Sequence, residues 1–376
     1  MLARSRRALT GPAAIAAAAL LAAGCTSSSN PSSAQGSSTG ASPGSSSAGA
    51  STGSPTTNPS AAPAPPDLQS LQGAFVSVVS RVLPSVVEIN TDRGLGSGIV
   101  FNDKGYIVTN DHVVAGASTY QVRLSSGATS LPATLVGSYP PDDLAVIKVS
   151  NASGLQPATF ADSSKVRVGD IVLAMGNPLG LASSVTEGIV SATGRTVTEP
   201  KDASSPGATL PNVIQTSAAI NPGNSGGALV SLSGQVVGIP TLAATDQQLG
   251  GAAPGIGFAI PSNVVTDIAQ QLVDHGKVVN SHRAALGVTV VTVSGPDGAP
   301  AGVGVVKVEA GGPAASAGIA AGDVINAING NKTPDTQTLS VVLASMKPGD
   351  KVTVEVTKAG GSQAKVAVTL GQLNGG

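Results

Sequence analysis

No tryptophan occurs in this chain, aromatic residues make up 2% of it and charged residues 11%. With so little ring surface, any core must be packed from valine, isoleucine, leucine and alanine. The formal net charge is -1 and no cluster of Lys or Arg follows the first few residues. That excludes the basic footprint of a nucleic-acid surface. There is one cysteine, Cys25, so no disulfide can form within the chain. No group of His, Asp and Glu has metal-ligand spacing, and neither a metal nor another cofactor is expected.

What is present is strongly segmented. The opening MLARSRRALTGPAAIAAAALLAAGC joins a basic start, a short apolar run and a small-residue end. It reads as a signal peptide over 1–24, because a membrane-spanning helix needs about 20 apolar residues. From Thr26 to Pro66 the chain is almost wholly Ser, Gly, Ala, Thr and Pro. Such a stretch buries too little apolar surface to offset its ordering entropy, so 25–66 is expected to be a disordered linker. As a flexible tether it would span roughly 35 Å.

After Asp67 short runs rich in Val and Ile recur between Gly, Asn, Asp and Pro: SVVEIN, SGIVFN, GYIVTN, YQVRL, DLAVIKV, DIVLAMG, GIVSAT and QVVGIP. Several alternate apolar with small or polar residues, as half-buried strands do. Many short strands without βαβ spacing predict a mainly β fold, two barrels or a sandwich. In PSNVVTDIAQQLVDHGK the spacing of Val264, Val265, Ile268, Ala269, Leu272 and Val273 predicts a helix. Ser262 or Asn263 would cap its start and Gly276 would stop it. A smaller unit follows, with strands GVTVVTV, GVGVVKV, KVTVEVT and AKVAVTL and one helix presenting Leu339, Val342, Leu343 and Met346.

INPGNSGGAL, residues 220–229, surrounds Ser225 with glycine and proline. Small residues make tight turns. They also leave room for a carbonyl to approach a nucleophilic hydroxyl and for amides to point at its oxygen. A base would come from one of three histidines. His275 closes the predicted helix, where a cation suits the helix dipole, and His282 lies in a connection without acidic company. His112, in GYIVTNDHVV, stands just after an apolar strand. PPDDLAVIKV offers Asp142 and Asp143 as orienting acids at a strand start. The chain order His, Asp, Ser differs from that of α/β-hydrolases and subtilisin-like enzymes and is the order of double β-barrel proteases.

TNDHVV, DDLAVIKV and GNSGGAL resemble the three signature segments of the HtrA (Deg) family of trypsin-like serine proteases. GSGIVFNDKGYIVTN and MGNPLG are similar to the family too, and GGPAASAGIAAGDVINAING resembles a PDZ domain. The resemblance runs over about residues 70–372 and implies a trypsin-like double β-barrel over 67–280, then a small α+β PDZ domain over 281–376. It makes Asp143 the acid, since that aspartate directly precedes the Leu-Ala strand, and completes a triad of His112, Asp143 and Ser225. It places an oxyanion hole on the turn Gly223, Asn224, Ser225, with the amides of Gly223 and Ser225 as donors.

The resemblance also puts the floor of the substrate pocket just upstream, where Ala218, Ala219 and Ile220 offer no acid for Lys or Arg. Cleavage after small aliphatic residues is then expected. The PDZ loop AALGV would hold a peptide C-terminus on the amides of Leu286, Gly287 and Val288. Gly-Cys at 24–25 is similar to a bacterial lipoprotein signal, making Cys25 a lipidation site and the protein extracytoplasmic on the cell membrane; ordinary secretion is the alternative. Homotrimers of the family pack through N-terminal aromatic residues, of which Phe75 is the one available here. Stretches 195–212 and 240–254 are expected as regulatory loops. Unfolded or damaged exported proteins are the expected substrates. A chaperone or PDZ adaptor with little proteolysis is the rival reading, and an esterase a third.

Overall fold

The computed structural model describes residues 66–373, except 126, 128–129, 178–183, 200–206, 222 and 247–250. The expected leader, Cys25 and the expected linker up to residue 65 lie outside the described residues, and Pro66, the last residue of that expected linker, already opens a helix. Helix α1 (Pro66–Val82) comes first, a helix the strand-centred sequence reading does not anticipate. Its pattern is nonetheless in the sequence: Leu71, Phe75, Val78 and Val82 recur at helical spacing. Val78 and Val82 are buried.

Six strands follow: β1 (Val86–Thr91), β2 (Leu95–Val100), β3 (Tyr106–Thr109), β4 (Tyr120–Leu124), β5 (Ser130–Tyr139) and β6 (Leu144–Val149), with the short helix α2 (Asp111–Val114) after β3. They close into a barrel in the order β1-β2-β3-β6-β5-β4. A second closed barrel holds β7 (Ile171–Gly176), β8 (Ser184–Glu199), β9 (Ala208–Thr216), β10 (Ala228–Ser231), β11 (Val236–Asp246) and β12 (Gly251–Pro261), in the order β10-β11-β12-β9-β8-β7. Helix α3 (Ser262–His275) completes this part.

The strands facing the other barrel are not half-buried, as the sequence reading expects of several. In β6, Ala145, Ile147 and Val149 fill the first barrel. Leu144 and Val146 instead join a cluster shared by both barrels, with Leu173 and Met175 of β7, Val78 of α1, and Val265, Ile268 and Leu272 of α3. Successive side chains of a strand point to opposite faces, and here both faces are dry. Continuous apolar runs such as LAVIKV are the result.

Two further expectations change. Neither Ser262 nor Asn263 caps α3: Pro261 occupies that position without a side-chain cap. Ser262 Oγ donates to Ala161 O and Asn263 Nδ2 to Asp162 Oδ1, so both hold a neighbouring loop instead. Gly276 does stop the helix, with its φ at 70°. Most of 195–212 and 240–254 is strand, the arms of hairpins β8–β9 and β11–β12, and the described parts are therefore paired rather than looped.

The C-terminal unit holds β13 (Ala284–Ala285), β14 (Val288–Ser294), β15 (Pro300–Val308), α4 (Pro313–Ser316), β16 (Val324–Ile328), β17 (Asn331–Lys332), α5 (Thr336–Ala344), β18 (Lys351–Thr357), β19 (Gln363–Thr369) and β20 (Gly371–Gln372). Its main sheet runs β14-β15-β16-β18-β19, while β13 pairs with β20. Asp335 caps α5 by accepting from the Thr338 amide at 2.7 Å. Leu339, Val342, Leu343 and Met346 pack on the core of this unit, the face the sequence predicts.

Candidate active site

His112 and Asp143 meet because two strand ends of the first barrel lie side by side. β3 pairs with β6, so the α2 turn that follows β3 adjoins the turn that precedes β6. His112 Nδ1 lies 3.0 and 2.9 Å from Asp143 Oδ1 and Oδ2, and the His112 amide donates to Oδ1 at 3.0 Å. The carboxylate therefore fixes both the ring and the backbone of the histidine. Asp143 is almost fully buried, its side chain 4% exposed, while His112 keeps 21% of its side chain open to solvent. The acid sits behind and the imidazole keeps an open edge.

Asp143 adopts the left-handed conformation, φ 49° and ψ 46°. That region is uncommon outside glycine, although Asp tolerates it better than most residues. It is held there by its amide, which donates to Pro140 O, and by Asn110 Nδ2, which donates to Asp143 O at 2.9 Å. Asp142, one residue earlier, faces Arg283 at 2.7 Å. Burial pushes the Asp142 carboxyl up from the usual carboxylate range, against the pull of that guanidinium. Burial likewise raises Asp111, which accepts from Ser138.

Thr241, on β11 and 3% exposed, joins this pair to the second barrel. Its hydroxyl donates to Asp143 Oδ2 at 2.5 Å, and its carbonyl accepts from Ser225 Oγ at 3.2 Å. Sequence reasoning misses Thr241, since a threonine on a β-strand carries no signal of its own. Ser225 is stitched to the first barrel as well. Its carbonyl accepts from the Ser97 amide at 2.9 Å, and Ser97 Oγ donates to Gly223 O.

The glycines beside Ser225 are required by close approach. A Cβ on Gly226 would lie 2.2 Å from Ser97 O and 2.3 Å from Thr109 Oγ1, and on Gly227 2.2 Å from Met175 O. Both would overlap main chain that cannot move aside. Gly223 and Gly226 also take φ of 102° and 79°. The Asn224 amide is bonded to Asn221 O. Among the described residues the amides of Gly223 and Ser225 have no protein acceptor, leaving two donors beside the Ser225 hydroxyl. In chemical terms the site offers a buried acid, an oriented imidazole, an accessible hydroxyl and uncommitted amides.

The remaining expected positions divide. Ala219 is exposed, and its carbonyl accepts from Thr186 Oγ1 and Asn224 Nδ2. Ile220 is 8% exposed and packs into the core of the second barrel, so most of its side chain is spent on structure. His282, expected to lack acidic company, is 3.6 Å from Asp267 Oδ2 in an exposed pair; α3 brings that acid across. Among the described residues no His/Cys/Asp/Glu group could hold a metal. No helix among them is long and apolar enough to cross a membrane.

In the C-terminal unit a groove of about 700 Å³ runs between β14 and α5, lined among others by Leu286, Gly287, Val288, Val290, Leu339 and Leu343. Gly287 has φ 70°, and its carbonyl accepts from Glu309. Leu286 is buried and accepts from Ala314. The amides of Leu286 and Gly287 have no acceptor among the described residues. Arg283 stands at the same end of the groove.

The family model for a trypsin-like peptidase domain matches residues 96–239, and that for a PDZ domain matches 284–370. Serine protease PepD of Mycobacterium tuberculosis is 39% identical over 328 residues, 83% of this chain and 69% of its own length. Serine protease Do-like HtrA of Lactobacillus helveticus is 42% identical over 281 residues, 70% of this chain and 66% of its own. Periplasmic serine endoprotease DegP of Escherichia coli is 41% identical over 283 residues, 74% of this chain and 57% of its own. This chain thus spans between 57% and 69% of these curated relatives. Among solved structures, the serine endoprotease from Yersinia pestis is similar with a TM-score of 0.54 and 36% identity, covering 80% of this chain and 98% of that one. The HtrA-type protease AlgW with decapeptide gives 0.53 and 33%, with the same coverage.

Proposed function

From the starting point that this chain belongs to the HtrA family of trypsin-like serine proteases, we propose that it is an endopeptidase working through His112, Asp143 and Ser225. The observation that carries this is the connected set running from Ser225 through Thr241 to Asp143 and His112. His112 takes the Ser225 proton as the oxygen attacks a peptide carbonyl, then returns it to the leaving amine. Asp143 fixes the ring tautomer and stabilises the imidazolium. The amides of Gly223 and Ser225 hold the developing oxyanion, each worth about 10²–10³ in rate.

The site floor at Ala219 and Ile220 lacks an acid, which favours cleavage after small aliphatic residues. The groove between β14 and α5 binds peptide C-termini by adding them as a strand beside β14, with carboxylate capture on the amides of Leu286, Gly287 and Val288. We place the protease domain at 67–280 and the PDZ domain at 281–376. Relatives named as periplasmic support an extracytoplasmic site of action, on unfolded or damaged exported proteins. A signal peptide over 1–24, lipid attachment at Cys25, a linker over 25–66 and assembly as a homotrimer complete the proposal.

The test is to incubate unfolded casein with the wild type and with Ser225→Ala, and to sequence the cleavage ends. Turnover that is lost in Ser225→Ala, with ends after Val or Ala, supports the reading. A Ser225→Ala protein that keeps its peptidase activity removes Ser225 from the mechanism, and a wild type that leaves casein uncut leaves the chaperone or adaptor.

A further inference from the structure

The acid of the candidate triad is positioned by a residue from outside the two barrels. Arg283 lies between α3 and the C-terminal sheet, one residue ahead of β13. Its guanidinium reaches back into the barrels and spends its donors on three acceptors. Nη1 donates to Pro141 O at 2.5 Å and to Asp142 Oδ1 at 2.7 Å, and Nη2 donates to Thr209 O on β9 at 2.8 Å. The first two acceptors belong to the 140–142 turn of the first barrel and the third to the second barrel. The pair is sheltered, with side-chain exposures of 13% for Arg283 and 7% for Asp142.

The turn so gripped ends in Asp143. A left-handed non-glycine residue at a functional site persists only where its surroundings over-determine it. The bonds from Asn110 and to Pro140 act on Asp143 from within the first barrel. Arg283 acts on the two residues immediately before it, and it does so from the C-terminal unit. The same region is tied down further: Ser281 Oγ and Tyr139 Oη both donate to Leu373 O, and the Leu373 amide donates to Arg283 O.

We infer that Arg283 is a positioning residue for Asp143, acting through Asp142 and the 140–142 turn, so that the C-terminal unit completes the acid arm of the site. The inference rests on the triad reading above and adds to it the residue that fixes the geometry of its carboxylate.

A planar, fixed fork of donors is what this task needs. Lysine can offer its charge to Asp142, but its three donors leave a single nitrogen, whereas these acceptors are reached from the two separate nitrogens Nη1 and Nη2. The charged and titratable groups facing the two sites are few. Arg283 and Asp142 have Asp267 and Tyr139 within electrostatic reach, and His112 has Asp143 and Asp111.

The experiment compares full-length wild type, Arg283→Gln, Arg283→Lys, Asp142→Asn and the double variant Asp142→Asn/Arg283→Gln. It reads kcat and KM on a small peptide substrate, the pH profile of kcat/KM, melting temperature, and the rate at which a fluorophosphonate labels Ser225. Small misplacements of a catalytic group are costly, so Arg283→Gln should lower kcat and labelling rate by about tenfold or more with KM unchanged. A carboxylate held less well supports the imidazolium less. The acid limb of kcat/KM should therefore move to lower pH, by about half a unit or more. Arg283→Lys should recover part of the loss, and the double variant should be no slower than Arg283→Gln, because that single change already removes the partner of Asp142 together with the bonds to Pro141 O and Thr209 O.

A merely structural role would lower the melting temperature without moving the acid limb. Should Arg283→Gln not fold, the near-isosteric Asp142→Asn carries the same prediction. Wild-type kcat and an unmoved acid limb in folded Asp142→Asn and Arg283→Gln would overturn the inference, as would losses that multiply in the double variant. Failure of the parent reading looks different: Ser225 of the wild type would then not be labelled at all.

Discussion

Asp142 and Asp143 are consecutive and face opposite ways. Asp143 Oδ2 lies 2.9 Å from His112 Nδ1, and Asp142 Oδ1 lies 2.7 Å from Arg283 Nη1. The left-handed backbone at Asp143 reverses the side-chain direction over a single residue. One carboxylate serves the imidazole, and its neighbour ties down the turn.

Replacing Ser225 by Ala removes the hydroxyl and leaves the turn intact, since Ser225 is held by its backbone carbonyl. Turnover of a peptide substrate should fall by about 10⁶-fold, as when the nucleophile is removed from a comparable triad. Melting temperature should be preserved, which calorimetry checks.

Thr241→Val keeps the shape of a buried side chain and deletes its donor to Asp143 Oδ2. A hydrogen bond to a charged group is worth about 1.5–3 kcal/mol, so kcat should drop by roughly one to two orders of magnitude. Binding of substrate, read as KM, should change little. An unchanged kcat would show that Thr241 does not support the acid.

Gly226→Ala combines a positive φ with a Cβ placed 2.2 Å from a main-chain oxygen. Strain of this kind costs about 1–3 kcal/mol before the clash is counted. The variant should melt several degrees lower and have lost activity even where it remains folded.

Ala219→Asp adds an acid at the exposed position six residues before Ser225. If the pocket floor lies there, cleavage ends from casein should shift toward Lys and Arg. Persistence of Val and Ala ends alone would place the floor elsewhere.

Asp162 accepts from the hydroxyl and amide of Ser164 and from Asn263 Nδ2, and these bonds hold its carboxyl well below the ordinary 3.8. A lowered acid contributes stability above its unfolded pKa and loses it as pH falls through the folded value. The melting temperature of the wild type should therefore fall more steeply than that of Asp162→Asn between about pH 4 and pH 2.

The barrels and the meeting of His112 with Asp143 were legible because their signals are local. Turn residues punctuate the strands, His112 and Ser225 sit in short distinctive segments, and chain order separates the scaffolds. The choice between Asp142 and Asp143 was not legible from residue type, since what separates them is a backbone angle and an arginine some 140 positions away. Thr241 was hidden for the same reason. Helix α1 was written in the spacing of Leu71, Phe75, Val78 and Val82 and went unread among its Ser and Gln residues. The long hairpins resemble loops in sequence because their Gly, Ala and Ser content outweighs the Thr and Val that pair across them.

Ser97 bridges Gly223 and Asn177 through its hydroxyl and meets Ser225 through its amide. The Ser225 turn is thus partly built from the opposite half of the molecule. Any breathing that parts the halves dismantles the turn first, so heating should silence hydrolysis several degrees before circular dichroism reports the loss of strands.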